Sequence, residues 1–293
     1  VYGRIDQDID RAIELLEKAR ETTLAENNKS HINLYVALGI KSRACLAEGD
    51  WDGAFKAAKR VIDEGGYAVG TKSDLTGGMN SLDKQNVMWG AGIQVADQAG
   101  GYAGFFTHMD NKEGAYAKSA PKLISKQLYN RISATDIRRD WWDPSDKESP
   151  YVSKKFSFAN VASFLGDYIY MRVEEMYFTA AEAALRLDDL KNARELMNTV
   201  MAERDPGYSA NNRSGTLLGA TTTTWTGSFL ENILTHRRIE LWGEYGRLFD
   251  VRRLGQGIDR RTDDGFSEEC ISMMNRRNVN ITKADTYDWV LTI

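Results

Sequence analysis

One helix-turn-helix pattern occurs twice in this chain. The segment ACLAEGDWDGAFKAAKRVIDE, from Ala44, aligns without gaps on AALRLDDLKNARELMNTVMAE, from Ala183. Ala44/Ala183, Leu46/Leu185, Asp50/Asp189, Ala54/Ala193, Val61/Val200 and Glu64/Glu203 coincide. The shared positions have clear jobs: the aspartate can start a helix by accepting a backbone N–H, and the alanine lets two helix axes approach closely. A helix pair of this kind leaves an apolar face that only a neighbouring pair can cover, so the repeat commits the chain to stacked helical pairs.

The flanking segments extend the pattern. Ile5, Ile9, Ala12, Ile13, Leu16 and Ala19 fall at three- and four-residue spacings, which predicts one helix from Ile5 to about Asn27. Ser30 is expected to cap a second helix through Ala37, Ile40, Ala44 and Leu46. Gly49 and Asp50 then break it and cap a third, which runs to Gly65-Gly66. Antiparallel helices joined by a tight Gly-Asp turn have the character of tetratricopeptide hairpins, whose period is about 34 residues. The expected fold class is therefore all-α, a single domain with tetratricopeptide-like helices at 1–66 and 168–205.

Residues 67–167 break the period and read as a long irregular, partly β insert forming the ligand face. A strand is expected at Asn86–Val95, a loop through DQAGGYAGFFTHMDNKEGAY, a helix from Pro121 to near Ser133 and an extended piece at Tyr151–Phe158. A Thr-, Ser- and Asn-rich loop at 206–228 precedes one long helix from Phe229 to about Leu254, and 255–293 form a tail. Structureless loops beyond about 15 residues in a compact domain are usually functional or disordered, and the aromatics here argue for function.

With 293 residues and 42% hydrophobic content, the chain can bury a core without disulfide or metal staples. Its net charge is −4 and its basic residues interleave with acidic ones, which excludes nucleic acid as the expected partner. Of the two cysteines, Cys45 sits in the apolar run Ala44-Cys45-Leu46 and reads as a small buried hydrophobe; no disulfide with Cys270 follows. No segment supplies the roughly 20 apolar residues that span a bilayer. The chain opens VYGRIDQDID, with no initiating Met and no hydrophobic signal core, and is read as missing its start.

Reactive constellations are lacking. His31, His108 and His236 have no zinc-type spacing, and Gly90-Ala91-Gly92 lacks the third glycine of a dinucleotide loop. Glycosidases use two acids, so the carboxylates Asp136, Asp140, Asp143, Asp146 and Asp167 are the one catalytic option. The expectation is a protein that is not an enzyme, with no catalytic residue, metal or cofactor assigned.

The segment HRRIELWGEYGRLFDVRR, residues 236–253, resembles the C-terminal signature of SusD/RagB proteins: paired Arg before Glu, then an Arg-aromatic-Phe-Asp-x-x-Arg run, with Leu248 at the aromatic place. YMRVEEMYFTAAEAALRLDDLKNARELMNTVMAERD, SATDIRRDWW and KSHINLYVALGIKSRACLAEGDWDGAFKAAKRVIDEGGYAV fit the same family. The resemblance implies a surface-exposed lipoprotein of the outer membrane that binds oligosaccharide and hands it to a SusC-like TonB-dependent transporter. Membrane attachment would come only through a lipid anchor missing from this chain. Such proteins carry a lipidated Cys and helices before the point where Val1 stands, and they end in a Pro-Ile-Pro-type segment where this chain reads YDWVLTI; the expectation is truncation at both ends. Peptide capture of the RagB kind and a plain protein-interaction scaffold stand as alternatives.

Sugar rings present flat C–H faces ringed by hydroxyls, so exposed aromatic planes flanked by amides and carboxylates suit them. The candidates outside the repeats are Trp89, Tyr102, Phe105, Phe106, His108, Trp141, Trp142 and Trp225, with Asn80, Asp97, Gln98, Asp110 and Asn111 as polar neighbours. Glycines around Tyr102, Phe105 and Phe106 are expected to present those rings outward. In the signature helix, Arg237 with Glu240, Glu244 with Arg247, and Asp250 with Arg253 are spaced to pair on a helix surface over a stripe of Leu241, Trp242, Tyr245, Leu248 and Phe249.

Overall fold

The computed structural model describes residues 2–19, 28–97 and 104–257. Helices α1 (Tyr2–Ala19), α2 (Leu34–Glu48) and α3 (Trp51–Glu64) come first. Residues 20–27, the end of the helix expected to reach Asn27, lie outside the described residues. The cap of α2 is Asn33, not Ser30: the Asn33 side chain accepts the Val36 N–H at 2.9 Å. Gly49 closes α2 in the left-handed region, at φ 88°, and Asp50 opens α3 by accepting the Gly53 N–H at 3.0 Å.

The second copy follows the same plan. After α4 (Lys72–Thr76), β1 (Val87–Ala91), α5 (Phe105–Met109), α6 (Ala115–Ser119), α7 (Lys126–Tyr129), β2 (Trp142–Asp143), β3 (Val152–Ser153) and β4 (Tyr168–Arg172) come α8 (Val173–Arg186) and α9 (Leu190–Ala202). Asp189 caps α9 by accepting the Asn192 N–H at 3.0 Å, as Asp50 does for α3. The paired positions Ala54/Ala193 and Val61/Val200 are all fully buried, and Leu46 and Leu185 are each 3% exposed. The stacked helices share one apolar core that runs from Leu38, Ala58 and Val61 through Met176 and Ala180 to Met197, Val200 and Ile233.

The insert has little regular structure, as its composition predicts. β1 pairs antiparallel with β4, with Trp89 opposite Met171, and β2 pairs with β3. β4 runs directly into α8, so the strand and the repeat helix are one continuous piece. Two expectations change here. The stretch after Pro121 is extended, with Leu123 bridged to Val152, and only Lys126–Tyr129 forms a helical turn. The stretch expected as loop contains α5 and the start of α6.

The signature segment is also two helices instead of one: α10 (Phe229–Glu240) and α11 (Arg247–Arg253). Gly243 and Gly246 lie between them at φ 75° and 100°, a conformation that breaks the helical path. A Cβ on Gly243 would meet the Phe156 ring at 2.6 Å, so a glycine is also needed for close packing on the insert. Among the described residues, no helix is long and apolar enough to cross a membrane.

Candidate ligand face and the charged hub beneath it

The aromatic candidates divide by exposure. Tyr102, with Gln98, lies outside the described residues. Phe106 is 2% exposed, packed against Phe158 and against Gly166, whose absent Cβ makes room for its ring. The outward presentation expected of Phe106 is therefore corrected: the turn into α5 rolls that ring into the core. Phe105 is half-buried, edge-on to Phe106 and Phe156 at 5.2 Å each. Trp141 and Trp142 are both buried, and Trp141 donates its indole N–H to the Leu75 carbonyl at 2.8 Å. Those two rings pack the insert and offer no free face, because apolar area this large is stabilised most when removed from water.

Besides Phe105, three candidates keep contact with the surface. His108 is exposed, and its ring lies parallel to Tyr116 at 4.7 Å with 5° between planes. Trp89 is half-buried and edge-on to Tyr170, itself 42% exposed, at 5.0 Å. Trp225 is half-buried under the Arg131 guanidinium, 4.5 Å from the ring centroid. Tyr116 and Tyr170 were missed by sequence reasoning. The β1/β4 pairing that puts Tyr170 beside Trp89 joins segments far apart in sequence, and Tyr116 lay in a stretch expected to be loop.

The polar neighbours are committed to the backbone. Asp110 is buried and accepts N–H groups from Lys112, Glu113 and Phe158, each at 3.0 Å. Asn111 bridges Ser153 O and the Lys122 N–H, Asn80 donates to Ser157 O, and Asp97 accepts the Gln94 N–H. The carboxylates weighed as glycosidase acids do similar work: Asp143 and Asp146 cap turns, and Asp167 accepts from Leu82 and Ile93. A cleft of about 720 Å³ opens beside α5, between the Pro121–Leu128 stretch and residues 237–251, lined by Met109, Leu123, Leu128, Trp242 and Tyr245 among others.

Beside this cleft, which Glu244 lines, α10 ends in a buried charge network that the expected surface pairs did not anticipate. Glu240, fully buried, receives Arg138 at 3.2 Å, Arg172 at 3.0 Å and Arg204 at 3.0 Å. Arg172 also grips Glu244 through Nε and Nη2, both at 2.8 Å, and Lys155 Nζ reaches Glu244 at 2.5 Å. Lys155 and Arg172 further donate to the Glu240 carbonyl, which places positive charge at the negative end of α10. Arg237 does not pair with Glu240; it spans Glu175 and Asp250. Asp250 with Arg253 forms as expected, at 2.8 Å, and it too is buried. The apolar stripe is not covered by Arg stems as expected, since Leu248 and Phe249 remain 38% and 54% exposed.

The hub sets its own protonation. Burial alone would raise the Glu240 and Glu244 carboxyls, but the adjacent guanidiniums outweigh it and hold both below the usual carboxylate range. Burial pushes the Lys155 ammonium down to about 8. Burial, with Arg138 beside it, pushes His236 well below its ordinary value, so the ring is neutral. The Cys45 thiol is pushed by burial up to about 12, in keeping with an inert core side chain.

Comparison with known proteins fits this architecture. Residues 106–289 match the sequence model of the SusD family. A SusD-like carbohydrate binding protein from Bacteroides vulgatus is 28% identical, with TM-score 0.66, over 86% of this chain and 52% of that one. A SusD superfamily protein from Bacteroides thetaiotaomicron superposes with TM-score 0.69 at 21% identity over 96% of this chain and 61% of that one. A surface glycan-binding protein A from Bacteroides uniformis does so with TM-score 0.52 at 18% identity, over 85% and 57%. The chain thus spans between half and two thirds of the length of these solved structures. No curated protein matches it.

Proposed function

Because the chain belongs to the SusD family, we propose that it is a glycan-binding, non-catalytic protein whose irregular insert holds oligosaccharide at the bacterial outer-membrane surface for a SusC-like TonB-dependent transporter. The observation that carries this reading is the exposed His108–Tyr116 pair, two parallel rings 4.7 Å apart on adjacent short helices. Each ring of the stacked pair holds the other in place, so an outer ring face is a fixed flat surface that meets a sugar's C–H face with little ordering cost. Trp89 with Tyr170, Trp225, Phe105 and Tyr102 are the further proposed contacts; Phe106, packed edge-on against Phe105, and the buried Trp141 and Trp142 are not. The name of the Bacteroides vulgatus relative, a carbohydrate binding protein, supports the ligand class.

A glycan array on the protein, followed by titration of its best hit, tests the reading. His108→Ala and Tyr116→Ala should each weaken binding about fivefold or more, the usual threshold for an interface residue that matters. Wild-type affinity in both variants would remove the platform from the site, and capture of peptides with no glycan would overturn the ligand class. Steady release of reducing sugar by the purified protein would overturn the non-catalytic reading.

A further inference from the structure

Among the described residues there are two separate large apolar cores. One belongs to the stacked helices. The other lies almost wholly inside the insert, built on Leu75, Phe106, Leu128, Trp141, Trp142 and Phe156, and the signature segment contributes only Ile239 to its buried set. Met88 and Met171 of the β1/β4 pair seat in the helical core, and the rest of the join between the two bodies is charge. Arg138 and Lys155 come to Glu240 and Glu244 from the insert side, while Arg204 and Glu174 come from the helical side. Arg172 sits where β4 becomes α8 and binds both glutamates. Glu174 Oε1 also accepts the Gly70 N–H at 2.9 Å and the Asn86 amide at 3.0 Å, fastening the start of the insert.

The hub is balanced. Arg138, Lys155, Arg172 and Arg204 face Asp136, Glu174, Glu240 and Glu244, four charges against four, and each is buried or nearly so. Such a seam differs physically from an apolar one. Apolar contact weakens gradually as area is lost, whereas a closed set of buried charges loses heavily when a carboxylate shared by several cations goes. Charges in an opened seam also regain water, which an exposed apolar face cannot do.

We propose that the insert, with its own apolar core, is a separately opening unit latched to the helical repeats by the Glu240/Glu244 hub. The ligand face would then open and close as one body while the repeats stay folded. This rests on the two cores and the bridging charges and is independent of which ligand the face takes.

Native-state amide hydrogen exchange on the whole chain tests it. Insert amides such as Tyr129, Lys154 and Ser157 should exchange through an opening that responds less steeply to denaturant than that of repeat amides such as Val61, Ala184 and Val200, because it exposes less surface. Glu244→Gln, close in shape and uncharged, should speed insert exchange tenfold or more while repeat amides stay within about twofold. Parallel acceleration of both sets, or of neither, would overturn the latch. If Glu244→Gln fails to fold, the wild-type slopes decide: identical slopes in both sets mean a single cooperative body and sink the proposal.

Discussion

The helical repeats and the insert solve the same problem by different means. In the repeats, alanines such as Ala54, Ala58 and Ala193 are fully buried, and the interface is apolar and close-packed. In the insert, strands of five residues or fewer cannot supply a ladder, and beyond the seating of Met88 and Met171 in the helical core its attachment to the rest runs through Arg138, Lys155 and Arg172 onto one helix end. Regular periodicity gives cohesion that spreads over many positions. Irregular structure concentrates it in a few.

The sharpest way to break this contrast is at the hub. Glu240→Ala leaves three guanidiniums without their shared carboxylate, and removal of one partner from a buried ion cluster costs about 3–5 kcal/mol. Denaturant unfolding would read this as a lower midpoint. A loss under about 1 kcal/mol would mean that water or rearrangement replaces Glu240, and the insert would not depend on it.

In the repeats the effect should be large but duplicated. Leu46→Ala and Leu185→Ala remove equivalent side chains, each 3% exposed, and should each cost about 2–4 kcal/mol. Leu46 sits in a small cluster with Cys45, Ala54 and Ala183, whereas Leu185 belongs to the main core. Thermal melts showing a much smaller loss for Leu46 would mean that the first copy is the looser one.

The helical half was legible because its signals are local. The Asp50 and Asp189 caps, the alanine seam and the three-to-four spacing are all readable within one helix pair. The insert was not, because its key relations join distant residues: Trp89 to Tyr170, Arg138 to Glu240, Lys155 to Glu244. Glu244 and Arg247 looked like surface neighbours only while the segment was taken as one helix, whereas Arg237 and Glu240 share α10 but are both buried and take distant partners. Gly243 and Gly246 turn the chain between Glu240 and Arg247, and that turn frees Glu244 to face Lys155 and Arg172. Flat exposure at His108 could be guessed from a polar, glycine-rich stretch, but the burial of Phe106 two residues earlier depended on Gly166, far along the chain.

Alkaline titration separates the two regions further. Lys155 gives up its proton at about 8 in the folded protein, against 10.5 in the unfolded chain. Between those values the unfolded state binds more protons, so stability rises with pH across that window, by about 2–3 kcal/mol from this residue alone. The groups facing it, Glu244, Glu240 and Arg172, stay charged throughout, because the two carboxyls sit below and the guanidinium above their ordinary ranges. Denaturant melts from pH 7.5 to 10 on wild type and Lys155→Met should show the rise in the first and a flatter profile in the second. Equal profiles would mean that Lys155 is already hydrated or neutral at pH 7.5.

The smallest expected effect tests the repeat equivalence at a single dihedral angle. Gly49 and Asp188 occupy the same place before the two capping aspartates, and both adopt the left-handed conformation, at φ 88° and 62°. Glycine reaches that region freely, while a residue with a Cβ pays a steric cost that aspartate only partly offsets. Asp188→Gly should therefore stabilise the protein by up to about 1 kcal/mol, less whatever entropy glycine adds to the unfolded chain. Gly49→Asp should destabilise it by a similar amount. Because α2 and α3 pack as α8 and α9 do, the two changes should nearly mirror each other in the shift of melting temperature. A loss of stability in Asp188→Gly would show that the Asp188 side chain does something in the second turn that Gly49 has no counterpart for in the first, and the two copies would then differ in mechanism at the one turn where their backbones agree.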